Sequence, residues 1–408
     1  MIKKKISNFT FAMLIMTMLA IPINISPSYG SDPIEISVID SKMTQNNTLG
    51  VKEKIESLKG KSMDKNIILH EITKVDDINN MDDVIIINKY DALNQRNILS
   101  EKANSGKAVY VYGGVSRSEA NEIFGIEIFP TPEKDKIVKA LRTKKLSERD
   151  LEHAVNEELR KTVHRKFDVV GVYTDSNGKT IPYLSDLFVE EGSKTTAKFA
   201  ASIVNHINKK IQKKNSFISK NVASADTRVD HQLDIGGSYF IGSKEIATME
   251  MDYYLVQDQD ETTSDDYFAI EDHMEVETFH GADPVMMKAK HSLPYSVDDL
   301  QDWSPGDTSD KQNFSVNLPW GISWNFSTND DVDVDASGSQ SSDTVSWEFT
   351  EARFWSSYLH NPERVKPGSA WVSAGESLAA VDIVNTLHFD YQSQIRTWNY
   401  SYDYRYYY

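Results

Sequence analysis

The stretch F-S-V-N-L-P-W-G-I-S-W-N-F, from Phe314 to Phe326, alternates between apolar and polar residues over its whole length. Its even-numbered positions are all apolar: Phe314, Val316, Leu318, Trp320, Ile322, Trp324 and Phe326. A period of two over thirteen residues predicts a β-strand with one apolar and one polar face. A second run with this period follows an acidic tip rich in Ser and Gly, at Val345, Trp347 and Phe349. The two runs together predict a long β-hairpin.

The first thirty residues have the features of a secretory signal peptide. Lys3, Lys4 and Lys5 precede an apolar run, and a cleavage site of small residues ends at Gly30. We therefore expect residues 1–30 to be removed and the mature chain to be secreted. The alternative is an N-terminal anchor helix, although the apolar run is shorter than the roughly 20 residues of a full span.

Cysteine is absent from all 408 residues, which excludes disulfides, thiolate catalysis and cysteine-based zinc sites. A secreted chain without disulfides has to be held together by core burial, which bound metal ions can assist. The length is sufficient for about two domains.

Charge is distributed unevenly along the chain. Residues 31–215 carry 30 Lys and Arg against 28 Asp and Glu, whereas residues 216–408 carry 11 against 33, a net charge of −22. The acidic half argues against nucleic acid as a partner, because nucleic-acid binding needs a basic surface. It also disfavours attachment to anionic lipid. A cell surface, a glycan, a neutral membrane and cations stay open as partners.

Residues 31–213 predict an α/β domain. Continuous apolar runs such as Val84–Ile87 are typical of strands covered on both faces, and helical patterns lie between them. Ser116 and Glu119 form the signature of a capping box, which predicts the start of a helix. The expected arrangement is a mostly parallel sheet with helices. The stretch 214–227 bears lysines and then small residues, and it is the predicted linker.

Residues 228–408 predict an acidic antiparallel β domain, either a sandwich or an elongated sheet. Period-two patterns recur on both sides of an acidic loop, in Met249–Leu255 and in Phe268–Val276. The parity of the apolar positions changes near Arg396, which predicts a bulge or bend there. The expected fold class of the whole chain is therefore α+β, with an α/β domain followed by an all-β domain.

The predicted hairpin from Phe314 to Phe349 allows two interpretations. In the first, its apolar face packs into the core of a sandwich, as alternating strands usually do. In the second, it inserts into a membrane in the manner of a β-hairpin pore-forming protein, because thirteen alternating residues exceed the roughly ten needed to cross hydrocarbon. Oligomers are expected in that case. Pro319 and Gly321 count against a regular spanning strand, since proline removes a ladder hydrogen bond.

Two acidic patterns are candidates for metal binding. Asp331, Asp333 and Asp335 occupy positions 1, 3 and 5 of an EF-type loop, so Ca²⁺ is a candidate cofactor, but Ala336 stands where the turn glycine belongs. The second pattern is one strand face, on which side chains can converge on a metal. It carries Glu271, His273, Glu275 and Glu277. In both cases the alternative is an ordinary solvated acidic surface.

Asp40 and Asp91 are the catalytic candidates. Both follow predicted strands of the α/β domain, and ligands bind at the carboxyl ends of strands in folds of this class. The sequence contains no dinucleotide-binding, P-loop or GxSxG motif that would support a reaction. A turn or helix-cap role is the simpler interpretation of Asp40.

Aromatic residues supply the binding candidates, which are Trp320, Trp324, Trp398, Tyr404 and Tyr406. Their rings have apolar faces and polar groups suited to glycans or interfaces, although a terminal strand paired within the sheet is an equal alternative for the last three. The expected function is that of an exported, non-enzymatic protein whose acidic β domain binds a cell surface, glycan or membrane. The alternatives are a secreted hydrolase-like enzyme with its site at the strand ends and a structural protein stabilised by calcium.

Overall fold

The computed structural model describes residues 34–39, 67–72, 83–127, 134–142, 147–162, 164–175, 178–216, 231–258, 265–306, 313–317, 323–327, 332–353, 356–374 and 378–407. The predicted signal peptide, Asp40, Trp320 and Asp331 lie outside these residues, so the predictions made for them stay predictions. None of the helices in the described ranges combines the length and apolar character that a membrane span requires.

Strands dominate the described chain. In chain order they are β1 (Ile34–Ile39), β2 (Ile67–Ile72), β3 (Val84–Asn88), β4 (Ala108–Ser116), β5 (Lys166–Thr174), β6 (Thr180–Val189), β7 (His231–Ile241), β8 (Lys244–Asp258), β9 (Asp265–Thr278), β10 (Asp283–Ser292), β11 (Asp298–Ser304), β12 (Asn313–Asn317), β13 (Ser323–Ser327), β14 (Val332–Ser339), β15 (Thr344–Glu351), β16 (Glu363–Val365), β17 (Gly368–Ala374), β18 (Leu378–Tyr391) and β19 (Gln394–Tyr407). The protein is therefore mostly β, with a smaller helical part.

The helices belong to the first half of the chain. They are α1 (Lys89–Asn94), α2 (Arg96–Asn104), α3 (Arg117–Phe124), α4 (Lys134–Arg142), α5 (Glu148–Thr162) and α6 (Thr196–Ser216). The predicted capping box is confirmed at the start of α3, where Ser116 and Glu119 satisfy each other's backbone N–H groups. Gly125 ends that helix with a φ of 63°, a left-handed conformation that favours glycine.

One large sheet runs in the order β11-β17-β9-β8-β7-β6-β5-β4-β3-β1-β2, with β16 paired to β9. Strands β2, β1, β3 and β4 pair in parallel, and β4, β5 and β6 pair antiparallel. Strands β6 and β7 are parallel, with Leu184 opposite Ile235, and antiparallel pairing follows from β7 to β11.

The large sheet continues across the predicted domain boundary, because β6 precedes the linker and β7 follows it. Residues Ile34–Tyr408 form one compact unit. Helix α6 extends to Ser216, so the first residues of the predicted linker are helical. The division into an α/β domain and an all-β domain stays a prediction, and the strands of the two parts share one sheet.

A second, fully antiparallel sheet packs on the large one to form a sandwich. Its order is β14-β15-β10-β18-β19. The core between the sheets includes Trp347 and Phe349 from β15 and Met251 from β8, which are at most 1% exposed. The interpretation of the run at Val345–Phe349 as core is therefore confirmed. Burial of such side chains is the main favourable contribution to folding.

The other face of the large sheet is covered in part by α6. Phe199, Ile203 and Ile207 of this helix pack against apolar residues of β1, β3, β4, β5 and β6. Beyond them, over β7, β8 and β9, the same helix presents polar and charged side chains. One helix therefore covers an apolar and a polar region of the same sheet face.

The long hairpin predicted from Phe314 to Phe349 is wrong in its pairing. The stretch that opens it forms two five-residue strands, β12 and β13, which pair with each other, with Phe314 opposite Phe326. Pro319 lies between them, and proline cannot donate to a strand ladder. The acidic tip is itself a strand, β14, which pairs with β15.

The bulge predicted near Arg396 is also wrong. Strands β18 and β19 pair without a shift from Leu378 opposite Tyr407 to Tyr391 opposite Gln394. The two-residue turn between them pairs an odd position with an even one, so it changes the parity of the inward-facing residues without a bulge. Its central residues, Gln392 and Ser393, have the positive φ angles of 56° and 60° that such a turn requires.

Candidate surface-binding site

The ends of the two sheets meet where tight turns reverse the chain. Strands β7 and β8 are joined at Gly242, which has a φ of 59°, and β9 leads into β10 through His280 and Gly281, with φ angles of 58° and 75°. At the beginning of β10, Asp283 lies opposite Asp390 near the end of β18. The β18–β19 turn therefore belongs to the same end of the sandwich.

This end carries most of the exposed large apolar side chains of the described residues. Of the four such side chains, three lie at this end: Ile395 is exposed to 60%, Phe188 to 47% and Tyr358 to 38%. The fourth, Tyr90, is exposed to 62% and lies elsewhere. Phe188 lies at the end of β6, and Ile395 follows the β18–β19 turn. Tyr90 lies on α1. Exposed apolar residues that cluster are typical of interaction sites, whereas single ones are common on any surface.

A chain of contacts joins Phe188 to the β18–β19 turn. The Phe188 ring stacks on Tyr239, with the centroids 4.6 Å apart. The hydroxyl of Tyr239 donates a hydrogen bond of 2.7 Å to Glu190, and Nε of Arg396 donates one of 3.1 Å to the same carboxylate. The Glu190 carboxylate therefore links Arg396 to Tyr239, the residue on which Phe188 stacks.

Tyr358 is tied to the same turn from the other side. Its hydroxyl donates a hydrogen bond of 3.1 Å to Asp390, the residue directly opposite Ile395. The guanidinium group of Arg396 lies 5.5 Å from the ring centroid of Tyr391, within the range of a cation–π contact. We call this surface the end patch and define it as Phe188, Glu190, Tyr358, Asp390, Ile395 and Arg396.

The polar groups of the end patch have well-defined charge states near neutral pH. The hydrogen bond from Tyr239 and the nearby Arg396 lower the pKa of Glu190, so its carboxylate is charged. Burial, together with that carboxylate, raises the pKa of Tyr239, so its hydroxyl stays a donor. The hydrogen bond to Asp390 likewise raises the pKa of Tyr358. The patch combines apolar faces with donors and acceptors of both charge signs.

The aromatic residues of the terminal strand are mostly part of the core. Trp398 is 4% exposed and lies beside Tyr239, with the ring centroids 5.8 Å apart. Tyr404 is 1% exposed, and its hydroxyl lies 2.6 Å from Nδ1 of His231. Tyr406 is partly buried against the same histidine ring. A binding role for these residues stays a prediction, and it would require β19 to leave the sheet. For Trp324 the backbone is described within β13.

Asp91 belongs to the first turn of α1 and is buried. Its backbone N–H donates to the side chain of Asn88, the N-cap residue, and the amide group of Asn88 donates back to the Asp91 carboxylate. This geometry is that of a helix start, and a catalytic role for Asp91 stays a prediction.

The calcium prediction rested on a loop that the structure shows as a strand. Asp333 and Asp335 lie on β14, opposite Thr350 and Glu348 of β15, instead of on the EF-type loop that the sequence pattern suggested. Extended backbone cannot wrap carboxylates around one ion as such a loop does. Across the described ranges, no three His, Asp or Glu side chains converge as a metal site.

The acidic face of β9 is partly covered by α6, and its side chains are buried or half-buried. Lys209 of α6 lies 3.5 Å from Glu275 and 3.8 Å from Glu277. Arg364 contacts Glu275 at 2.6 Å, and His273 contacts Glu271 at 2.7 Å. In the predicted metal-ligand pattern, Glu275 and Glu277 are therefore already paired with cationic side chains, and Glu271 contacts His273.

Further ion pairs continue this layer over β7 and β8. Nζ of Lys210 lies 2.6 Å from Asp234 and 2.5 Å from Asp252, two carboxylates that are almost fully buried. Burial lowers the pKa of Lys210, but the two carboxylates outweigh it and raise the pKa well above its usual value. Next to them, Nδ1 of His206 lies 3.2 Å from Glu250. We call this set of pairs between α6 and β7–β9 the α6 ion layer.

Neither the end patch nor the α6 ion layer was found in the sequence. Phe188 and Ile395 are 207 positions apart and have no pattern in common. The ion layer did leave a signal, because lysines on α6 and acidic residues at alternate positions of β8 and β9 are complementary. The apolar stripe of the same helix obscured that signal.

No protein-family model matches the chain, and no curated protein matches it in sequence. Solved structures match parts of the chain at low similarity. The C-terminal domain of the Streptococcus pyogenes antigen I/II-family protein AspA is 12% identical and has a TM-score of 0.20, over 39% of this chain and 54% of that one. The major pilin SpaD of Corynebacterium diphtheriae is 9% identical with a TM-score of 0.24, over 46% and 41%.

A third structure, the seventh ScaB type I cohesin from Pseudobacteroides cellulosolvens, is 8% identical with a TM-score of 0.20, over 33% of this chain and 80% of the cohesin. The matched part thus spans about half of the AspA domain and less than half of the pilin. Similarity at this level establishes neither a shared fold nor a shared function.

Proposed function

We propose that the protein is an exported, non-enzymatic protein that binds a glycan of a cell surface through the end patch. The observation that carries this proposal is the placement of three of the four exposed large apolar side chains of the described residues at one end of the sandwich. The signal-peptide pattern of residues 1–30 supports export.

The chemistry of the end patch favours a glycan as the ligand. The faces of Phe188 and Tyr358 are apolar surfaces that can pack against the C–H faces of a sugar ring. Glu190 and Asp390 accept hydrogen bonds from hydroxyl groups, and Arg396 donates them. Two carboxylates and one guanidinium group give the patch a formal net charge of only −1, so an uncharged ligand is suited to it despite the acidic surroundings. Tight turns and stacked rings hold these groups in place, so little conformational entropy is lost on binding.

The test is binding of the secreted protein to a glycan array and to whole cells. We expect the double substitution Phe188→Ser and Tyr358→Ser to reduce affinity for any glycan bound by the wild type by about tenfold or more, because aromatic anchors dominate such contacts. The control is Tyr90→Ser, which removes an aromatic ring on α1 that is more exposed than either Phe188 or Tyr358. An unchanged affinity in the double variant, or an equal loss in the control, would contradict the proposal.

A separate liposome experiment tests the alternative that the protein inserts into a membrane. Strands β12 and β13 form a two-stranded sheet apart from the two large ones, which is the observation in favour of an inserting hairpin. Each strand has five residues, about half of what a spanning strand needs. Dye release from neutral liposomes that is lost after Trp320→Ser and Trp324→Ser would replace glycan binding by membrane insertion as the function.

A further inference from the structure

The α6 ion layer contains a lysine that lies between two buried carboxyl groups. Nζ of Lys210 is 2.5 Å from Oδ1 of Asp252 and 2.6 Å from Oδ2 of Asp234. The two aspartates are direct cross-strand partners on β7 and β8, so one amine bridges both of them. The Lys210 side chain is 15% exposed, and those of Asp234 and Asp252 are 0% and 5% exposed. One amine and two carboxyl groups therefore meet in a place that is largely shielded from water.

Other lysines of the described residues show what is special about Lys210. Lys209, its neighbour on α6, lies farther from its carboxylates, at 3.5 Å from Glu275 and 3.8 Å from Glu277. Lys288 lies 2.6 Å from Glu348, but both side chains are more than a third exposed, where water competes for each charge. Lys210 combines the short distance with burial and with a second carboxyl group.

The site favours one protonated and one ionised aspartate. Two ionised carboxylates beside one ammonium group would leave a net negative charge in a buried position, which is costly. Burial and the neighbouring Asp252 raise the pKa of Asp234, against the opposing effect of Lys210. Asp234 therefore tends to hold a proton, while Asp252 stays ionised next to the ammonium group. A protonated carboxyl group is open to attack by an amine, and an ionised one can serve as the base.

Tyr173 completes the arrangement around Asp234. Its hydroxyl donates a hydrogen bond to Oδ2, the same oxygen that Lys210 approaches. Burial and the nearby Asp234 raise the pKa of Tyr173 well above its usual value, so the hydroxyl keeps its proton. A donor fixed on this oxygen stabilises the negative charge that develops there when a nucleophile adds to Cγ.

We propose that Lys210 and Asp234 form an intramolecular amide bond between Nζ and Cγ, with Asp252 as the catalytic base. Asp252 takes one proton from the ammonium group, and the lone pair of Nζ then attacks Cγ. The bond between Cγ and Oδ1 breaks, and a second N–H proton leaves with that oxygen as water. One amine and one carboxyl group give one amide and one water molecule, so the step needs no oxidant, reductant or co-reactant.

The bond removes charges from a buried place. Before the step the site holds an ammonium group and a carboxylate, and after it the site holds a neutral amide and a protonated Asp252. Burying an ion pair has a desolvation cost that can exceed the attraction between its charges. The neutral product avoids this cost, and burial therefore favours it over the ion pair.

The bond also changes how α6 is attached to the large sheet. It would join the helix covalently to β7 and close residues 210–234 into a loop. A cross-link of this kind restricts the unfolded chain, as a disulfide does. The chain has no cysteine, so a disulfide cannot supply such a connection. The proposal does not depend on glycan binding by the end patch.

The test is the mass of the intact, denatured secreted protein. We expect it to be lighter by one water molecule than the mature sequence requires. Trypsin should release residues 210–213 and 229–244 joined to each other, because trypsin does not cleave after a lysine whose amine is acylated. A wild type of full mass would overturn the proposal, as would one that has lost water but yields these two fragments unlinked.

Substitutions assign the roles. Lys210→Arg keeps the positive charge without the reactive amine, so this variant should have its full mass. Asp252→Asn keeps the size of the side chain but removes the base, so most chains of this variant should also keep the water. The matched control is Lys209→Arg, which changes the adjacent lysine of the same helix and should retain the water loss and the linked fragments.

The wild-type mass is decisive even where a variant fails to fold, because it is measured on denatured protein. Water loss that persists in Lys210→Arg would overturn the proposal. Complete bond formation in Asp252→Asn would overturn the assignment of Asp252 as the base.

Discussion

The two faces of strands β7, β8 and β9 are equally buried but chemically opposite. Towards the second sheet they present apolar residues such as Ile235, Met249 and Ile270, all at 0% exposure. Towards α6 they present Asp234 and Glu250, at 0% and 4% exposure. The same backbone and the same degree of burial thus support an apolar interface on one side and an ionic one on the other.

The difference lies in what covers each face. One face is covered by the second sheet, whose inward-facing side chains come from several strands. Apolar side chains suit that face because, unlike polar groups, they do not each need a matched partner. A single helix can carry long cationic side chains at chosen positions, and Lys209 and Lys210 reach the carboxylates one by one. The apolar interface contributes stability in proportion to its area. The ion layer contributes little net stability, but losing one partner leaves a buried charge unpaired.

Removing the charge of Lys210 should have the largest effect. The substitution Lys210→Met keeps the length of the side chain and leaves Asp234 and Asp252 facing each other without a cation. We expect a loss of about 3–5 kcal/mol in the free energy of unfolding, measured by urea denaturation.

The control for this substitution is Lys288→Met. Lys288 pairs with Glu348 at 2.6 Å, but both side chains are more than a third exposed. Exposed pairs contribute about 0–1 kcal/mol, so this variant should remain close to the wild type. Equal losses in the two variants would mean that burial does not distinguish the α6 ion layer from a surface ion pair.

Asp298 tests what burial does to a carboxylate of the large sheet that has no lysine above it. Burial raises the pKa of Asp298 to about 7, against the opposing effects of Ser373 and Arg405. In the unfolded chain the pKa is about 3.9, so the folded state holds the proton more tightly. The resulting stability is fully present below about pH 4 and is lost as the pH rises to about 7, by up to about 4 kcal/mol.

The measurement is the free energy of unfolding of the wild type and of Asp298→Asn between pH 4 and pH 8. The variant should lose this part of the pH dependence and be the more stable protein at pH 8. Asp299→Asn removes the adjacent, exposed carboxylate and should retain the wild-type slope. A slope that persists in Asp298→Asn would assign it to another group.

Period-two patterning predicted the buried strand faces, because the residues of one strand are sufficient to show its alternation, but it left a sandwich and an elongated sheet as alternatives. The buried run at Val345–Phe349 and the strands around Met251 follow directly from it. The same rule failed between Phe314 and Phe326, where alternation continues through a chain reversal. A short β-hairpin and one straight strand can give the same alternating pattern. Pro319 was among the residues that indicated a break in the strand.

The candidate site could not be predicted in the same way. The end patch is assembled from the ends of β6 and β18–β19, and their proximity depends on how the two sheets pack. Tertiary contact of this kind leaves no local period in the sequence.

Two adjacent glycines on β7 provide the smallest and most direct comparison of the two faces. A Cβ atom added at Gly237 would lie 2.7 Å from the Trp398 ring and 3.2 Å from the carbonyl oxygen of Asp186, whereas one added at Gly236 would meet the hydroxyl of Tyr183 and the carboxylate of Glu250. The indole and the backbone cannot move easily, so Gly237→Ala should cost about 1–3 kcal/mol. Gly236→Ala should cost a similar amount, because the Tyr183 ring is fully buried and stacks on His206 at 3.8 Å, so it cannot move aside easily either. Urea denaturation of the two variants measures both costs, and a much smaller cost at Gly236 would show that the ionic face is packed less rigidly than the apolar one.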